Sequence, residues 1–184
     1  MAWAVGAYEG ALRRALVDYK YRGVVGWAPV LGRLVATWLE GNATAVEELD
    51  VLVPVPAYAG PGARRRFDAV GRIAAEAAAA TGGAWAVAPG ALVKTAETPP
   101  LARRAAPGRR VAAEGALRAS LSVADAGAVA GARVLVVDDV MSTGSTLREV
   151  ARVLRAAGAD EVAALVVARA GLLAPFSSAR APGP

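Results

Sequence analysis

The sequence predicts a single α/β domain whose central, mainly parallel sheet is flanked by helices, with an N-terminal helical hood over it. Three observations carry this. Short continuous apolar runs at residues 51–55, 84–88, 133–137 and 162–167 have the form of strands buried on both faces. Helix-like segments lie between those runs, the alternation of a doubly covered parallel sheet. A chain of 184 residues suits one hydrophobic core rather than two.

Taken in order, residues 1–49 hold three of the four Trp and three of the four Tyr, and Tyr8, Leu12, Ala15, Leu16 and Tyr19 recur at helical spacing. That pattern predicts helices packed over the sheet as a hood. Residues 51–55 form the first strand, and Phe67, Val70, Ile73, Ala74 and Ala77 mark a helix stopped by Gly82 and Gly83. Residues 84–88 are a weaker second strand. Residues 95–115 carry Pro99, Pro100, Pro107 and Gly108 among four arginines, which predicts a long, exposed, flexible loop of the kind that serves as a lid. Residues 133–137 are the strongest strand. The helix after it has an apolar face of Leu147, Val150, Val153 and Leu154, with Arg148, Glu149, Arg152 and Arg155 turned outward. Thr146 and Glu149 have capping-box spacing, and Gly158 supplies a stop. Residues 162–167 are the last strand. The single domain runs from 1 to 173, with the hood at 1–49 and the core at 50–173; three prolines in 174–184 predict a disordered tail.

Composition narrows the chemistry. Cysteine and histidine are both absent, which excludes disulfides, thiolate zinc sites, thiol nucleophiles and any triad with an imidazole base. The reacting groups are therefore Asp, Glu, Lys, Arg, Ser, Thr and backbone amides. A net charge of +5 and a pI near 10.2 fit a nucleic-acid partner or a small phosphorylated ligand, and an Arg- and Ala-rich composition produces them equally well. Despite a mean hydropathy of +0.39, no apolar run reaches the roughly 20 residues of a membrane span. Residues 1–8 lack a signal-peptide pattern, so the expected location is cytoplasmic, with no membrane partner.

Residues 133–146 carry the most information: an apolar strand ends in Asp138 and Asp139, passes Met141, and enters Ser142-Thr143-Gly144-Ser145-Thr146 at the start of a helix. A strand, a tight turn and a helix N-terminus aim backbone N–H groups and the positive end of a helix dipole at one point, which suits a phosphate. The hydroxyls add donors, and four or five charge-assisted bonds of roughly 1.5–3 kcal/mol each hold a phosphomonoester without a lysine. The two acids suit the vicinal hydroxyls of a ribose whose 5′-phosphate sits in the turn. Strand alternation sets them on opposite sides unless the backbone turns. A Walker loop is excluded because Ser145 and Thr146 follow Gly144 where Lys is required, and a dinucleotide fingerprint because only one of its three glycines is present.

Residues 134–146 closely resemble the phosphoribosyl-diphosphate (PRPP) motif of type I phosphoribosyltransferases. The wider chain resembles one branch of them, the competence-related ComF family. Tyr8-Glu-Gly with Lys20-Tyr-Arg-Gly23 is similar to that family's opening, Val53-Pro-Val-Pro56 to its first strand and turn, and Arg64-Arg-Arg-Phe67 to its arginine run before a helix. Similarity continues through Lys94, Thr98, Leu101 and Arg109 to Gly115-Ala-Leu117, covering most of residues 8–168. The chain departs from the family in lacking the common four-cysteine zinc module, and so resembles a short form. It has Arg65-Arg66-Phe67-Asp68-Ala69 where Arg-Gly-Phe-Asn-Gln is usual, Pro100 in place of Gln, and Ala112 in place of Asn.

The resemblance implies a phosphoribosyltransferase that moves the phosphoribosyl group of PRPP to an acceptor, a nucleobase or an amine, and releases pyrophosphate. Asp138 and Asp139 would hold the ribose diol, and Met141, Ser142, Thr143, Gly144, Ser145 and Thr146 the ribose-5-phosphate. Pro56, Ala57, Arg64, Arg65 and Arg66 would bind pyrophosphate, with a solvated basic turn as the plainer account of the arginines. Lys94, Arg109 and Arg110 would belong to the lid, beside Arg103 and Arg104. Catalysis would fall to Asp138, Asp139 and the three arginines, with Mg²⁺ carried by the diphosphate rather than by a protein site. Tyr19, Lys20, Tyr21 and Arg22 would line an acceptor pocket or, more simply, pack as core. The family's name also implies a rival role: a non-catalytic PRPP sensor or adaptor in DNA uptake or replication, with single-stranded DNA or a DNA-processing protein as partner.

Overall fold

The structure is a computed structural model that describes residues 1–63, 67–98 and 107–171; the side chains of Pro107, Arg109 and Arg110 also lie outside the description. In chain order the elements are β1 (Ala2–Ala7), α1 (Gly10–Tyr21), α2 (Trp27–Gly41), α3 (Ala43–Val46), β2 (Val51–Pro54), α4 (Ala69–Ala80), β3 (Ala86–Val87), β4 (Leu92–Lys94), α5 (Pro107–Ser120), β5 (Leu121–Val123), β6 (Arg133–Met141), α6 (Ser145–Ala156) and β7 (Glu161–Arg169). Five strands form one sheet in the order β1-β7-β6-β2-β3, every pair parallel. The α/β class and the parallel sheet are as the apolar runs predict.

Alternation along the strands sorts the core into two layers. Leu52, Leu135, Val137, Leu165 and Val167 meet Leu16, Tyr19, Leu31, Val35 and Ile73 of α1, α2 and α4. On the other face, Val53, Val134, Val136, Ala164 and Val166 meet Leu117 of α5 and Val150, Val153 and Leu154 of α6. Because both faces of β6 are covered, its run is continuously apolar rather than alternating. On the hood side α2 lies close against α4. A Cβ at Gly32 would collide with the Glu76 Cβ and come within 3.0 Å of the Ala77 backbone, so glycine sets the spacing of these helices.

The structure corrects five expectations. Residues 1–49 are not all helical: β1 is an edge strand in parallel register with β7, Ala2 opposite Ala164 and Ala7 opposite Arg169. The predicted loop at 95–115 is helical from Pro107, which occupies the first turn, where its missing N–H costs nothing. That helix is framed by a small antiparallel pair, β4 and β5, which the sequence reading did not anticipate. The second strand shrinks to Ala86–Val87. Around α6, Gly144 is the N-cap at φ +74° with no side-chain cap, so the Thr146–Glu149 capping box does not form. Glu149 does not face outward; it is buried and paired with Arg152 and with Arg118 of α5.

Candidate functional site

Sheet topology locates the site. β2 connects onward toward β3, on one side, while β6 connects toward β7, on the other, so the chain reverses direction between these adjacent strands. At such a switch point the loops after the two strands part and leave a crevice at their C-terminal ends. A cavity of about 400 Å³ lies there. Val55, Pro56, Ala57 and Tyr58 line it from the segment after β2, and Asp138, Asp139, Ser142 and Thr146 from β6 and the turn beyond. Lys94 at the end of β4, Glu97 and Thr98 beyond it, and Lys20 and Tyr21 at the end of α1 complete the lining.

The two acids reach one cavity without the backbone turn expected from strand alternation. β6 stays extended through Met141, and Asp138 keeps its parallel partner, Val166. Asp139 continues the row of Leu135 and Val137 toward the hood, where its Oδ2 lies 2.7 Å from Lys20 Nζ, both side chains under a tenth exposed. Asp138 continues the row of Val134 and Val136 toward α6, and its Oδ1 accepts the Asp139 N–H at 2.8 Å. At the open end of the strand both faces border the crevice.

The turn divides its residues. Ser142 and Thr146 line the cavity, whereas Thr143 and Gly144 line a second cavity behind the turn. The Ser145 hydroxyl is buried in a network: it donates to Glu114 Oε1 at 3.0 Å, lies 3.1 Å from the Thr143 hydroxyl and accepts from Arg148 Nη2 at 2.9 Å. Arg148 Nη1 also donates to the Thr143 carbonyl at 3.0 Å, so one guanidinium braces the turn from outside. Met141 packs beneath it, 3.6 Å from where a Gly144 Cβ would stand.

The remaining expected residues divide as follows. Pro56, Ala57 and Lys94 line the cavity. Arg109 and Arg110 contribute described backbone in α5 only, and Arg64, Arg65, Arg66, Arg103, Arg104 and the tail at 174–184 lie outside the described residues. Of the four hood residues, Tyr19 is core: it is fully buried and its hydroxyl donates to the Ala69 carbonyl at 2.9 Å. Burial pushes this phenol up to about 12, with nearby Arg72 opposing the shift and Asp68 adding to it. Arg22 pairs with Asp18 on the surface. Lys20 and Tyr21, which fitted the core equally well on spacing, belong to the cavity wall. Asp68, standing where the resembled family has Asn, caps α4 by accepting the Gly71 N–H at 2.9 Å. Reasoning from sequence missed Tyr58, Glu97 and Glu114, which stand in no motif.

Comparison with known proteins adds a family match. Residues 101–178 match the family described as "Phosphoribosyl transferase domain", a segment that holds α5, β6, the turn, α6 and β7. None of the curated proteins matches the chain. Among solved structures, an allosteric regulatory enzyme of purine biosynthesis is similar at 27% identity and TM-score 0.48 over 76% of this chain and 26% of its own. A glutamine PRPP amidotransferase from B. subtilis is similar at 29% identity and TM-score 0.47, over 76% of this chain and 25% of its own. A hypoxanthine phosphoribosyltransferase from Trypanosoma cruzi shows 13% identity and TM-score 0.43 over 82% of this chain and 73% of its own. The chain thus spans about a quarter of the length of the first two. The chain is thus an α/β domain with a parallel central sheet, and its residues 101–178 are similar to the phosphoribosyl transferase family.

Proposed function

We propose that the chain is a phosphoribosyltransferase that binds PRPP in the crevice between β2 and β6 and transfers its phosphoribosyl group to an acceptor, a nucleobase or an amine, releasing pyrophosphate. The observation that carries the reading is the convergence of Asp138, Asp139, Ser142 and Thr146 on one cavity at the switch point, inside the segment that matches the transferase family. In this reading the acids accept the ribose hydroxyls and the turn receives the 5′-phosphate. Pro56 and Ala57 face the diphosphate, with Lys94 across the cavity and Arg64, Arg65 and Arg66 following in the chain. Breaking the C1′–O bond to pyrophosphate develops oxocarbenium character at C1′. The site therefore needs leaving-group neutralisation, positioning and exclusion of water, and no protein nucleophile. Within the class, the resemblance of the motifs quoted above supports reading the chain as a short form of the ComF family.

The donor set bears on magnesium. Among the described residues no three Asp, Glu, His or Cys groups gather as a metal cage. A divalent ion fits here as part of the substrate, held by the diphosphate with most of its waters, where it would offset the leaving group's charge.

Calorimetric titration of PRPP with Mg²⁺ tests the proposal. The wild-type protein should bind, and Asp138→Asn and Thr146→Ala should each weaken binding by about 10- to 100-fold, the loss of one charge-assisted hydrogen bond. Asp139 is the poorer target, because its loss would also strand Lys20. No binding by folded wild type would overturn the transferase and leave the adaptor role as the better account.

A further inference from the structure

A second cavity, of about 680 Å³, lies between α6 and the β1–β7 side of the sheet and shares no lining residue with the first. Ala2 of β1, Ala163 and Ala164 of β7, Met141 of β6, and Leu147 and Ala151 of α6 give it an apolar floor, and Thr143 and Gly144 line it from the back of the turn. Arg148, Arg155 and Arg169 also line it, and no carboxylate side chain does. Arg148 and Arg155 are seven residues apart on α6, about 10 Å along one side of the helix. Among the described residues none of the three arginines is ion-paired. Arg155 makes only a 3.4 Å bond to the Val162 carbonyl. Arg148 is fixed in place by its bonds to the Thr143 carbonyl and the Ser145 hydroxyl, so little side-chain freedom is left to lose when a ligand arrives.

We infer that this groove is a binding site for a small organic phosphate with an apolar body, separate from the crevice between β2 and β6. Planar guanidinium forks match phosphate oxygens. An alanine-rich floor leaves room for a chain or ring in a volume within the range of small-molecule sites. Surface arginines alone would attract any anion and would not discriminate by its apolar part; the floor makes that discrimination the distinguishing property. The inference goes beyond the proposed reaction and does not depend on it.

Alkyl phosphates make suitable probes because they carry no ribose diol for Asp138 and Asp139. The full ¹⁵N-labelled chain would be titrated with inorganic phosphate and with ethyl, butyl and hexyl phosphate. The amides of Ala2, Ala151, Ala164 and Arg169 should shift, and affinity should rise roughly two- to fourfold with each added methylene. Arg155→Ser/Arg169→Ser, which changes only exposed side chains, should lower hexyl phosphate affinity at least tenfold. Ala151→Leu keeps the arginines, fills the floor and should remove the dependence on chain length. Equal affinity for inorganic and hexyl phosphate would overturn the proposal, as would shifts confined to the residues around Asp138, or a double variant that binds as the wild type does. Failure of PRPP to bind would bear on the crevice alone.

Discussion

Lys20 and Asp139 are the pair on which the proposed site depends most. Their 2.7 Å contact is almost fully removed from solvent. Taking away one member of such a pair leaves a charge where hydration is poor, so Lys20→Met should cost about 3–5 kcal/mol, read from urea unfolding. Lys20→Met/Asp139→Leu should recover much of that while abolishing PRPP binding. Tyr19, one residue earlier, answers to pH. Its phenol lies near 12 in the folded chain against an ordinary 10.0, so the folded state keeps a proton that the unfolded state has lost. Stability conferred by the neutral phenol is complete below pH 10 and falls by about 1.4 kcal/mol per unit as pH rises from 10 to 12. Tyr19→Phe should flatten that slope in urea titrations at pH 9 to 12, at the cost of the bond to Ala69. The contrast between these neighbours shows what spacing could not decide. Both positions fit a buried helical stripe, and only the end of β6 determines that Lys20 meets a carboxylate.

The element that bears on closure is α5. Glu114 receives the Ser145 hydroxyl, and Arg118 reaches Glu149, so α5 is tied at two points to the helix that follows the turn. Glu149 also holds Arg152, which leaves one buried carboxylate serving both helices. Glu149→Gln should loosen α5 more than α6: amide exchange in residues 111–120 should accelerate about tenfold while 147–154 change little, measured by hydrogen exchange. This helix was hidden in the sequence because Pro107, Gly108 and the arginines mark a loop, although proline favours a first turn and Ala112, Ala113, Ala116 and Leu117 suit a helix. By contrast β2, β6, α6 and β7 were legible, since burial on both sheet faces demands uninterrupted apolar runs and α6 presents one clean apolar stripe. The turn between β6 and α6 was legible as a turn, from its run of hydroxyls around a single glycine. Its division into Ser142 and Thr146 on one side and Thr143 and Gly144 on the other depends on how α6 leaves the sheet, which no local pattern encodes.

At the scale of the whole molecule the sheet is bounded on one side by β1, which covers the edge of β7. Residues 2–7 fall within the segment expected to be a helical hood, yet they extend beside β7, with Tyr8 N–H bonded to the Arg169 carbonyl and Ala164 N–H to the Met1 carbonyl. Trp3 from this strand meets Trp38 of α2 with ring centroids 5.5 Å apart, so β1 also pins the hood. Without β1, β7 becomes an exposed edge composed almost wholly of Val, Ala and Leu, with unpaired backbone donors and acceptors along it, the arrangement that templates strand pairing between chains. The register partners are more than 150 positions apart in sequence, so ordering β1 depends on β7 and β6 already being in place. Deleting residues 1–8 should therefore lower the Tm by about 10 °C, equivalent to roughly 3–4 kcal/mol for a domain of this size. It should also produce concentration-dependent light scattering at temperatures where the full chain stays clear. Trp3→Ala separates the two contributions: it removes the ring contact with α2 and leaves the backbone ladder intact. That variant should lose stability without scattering, and scattering of equal extent would mean that the hood, rather than the β7 edge, is what β1 protects.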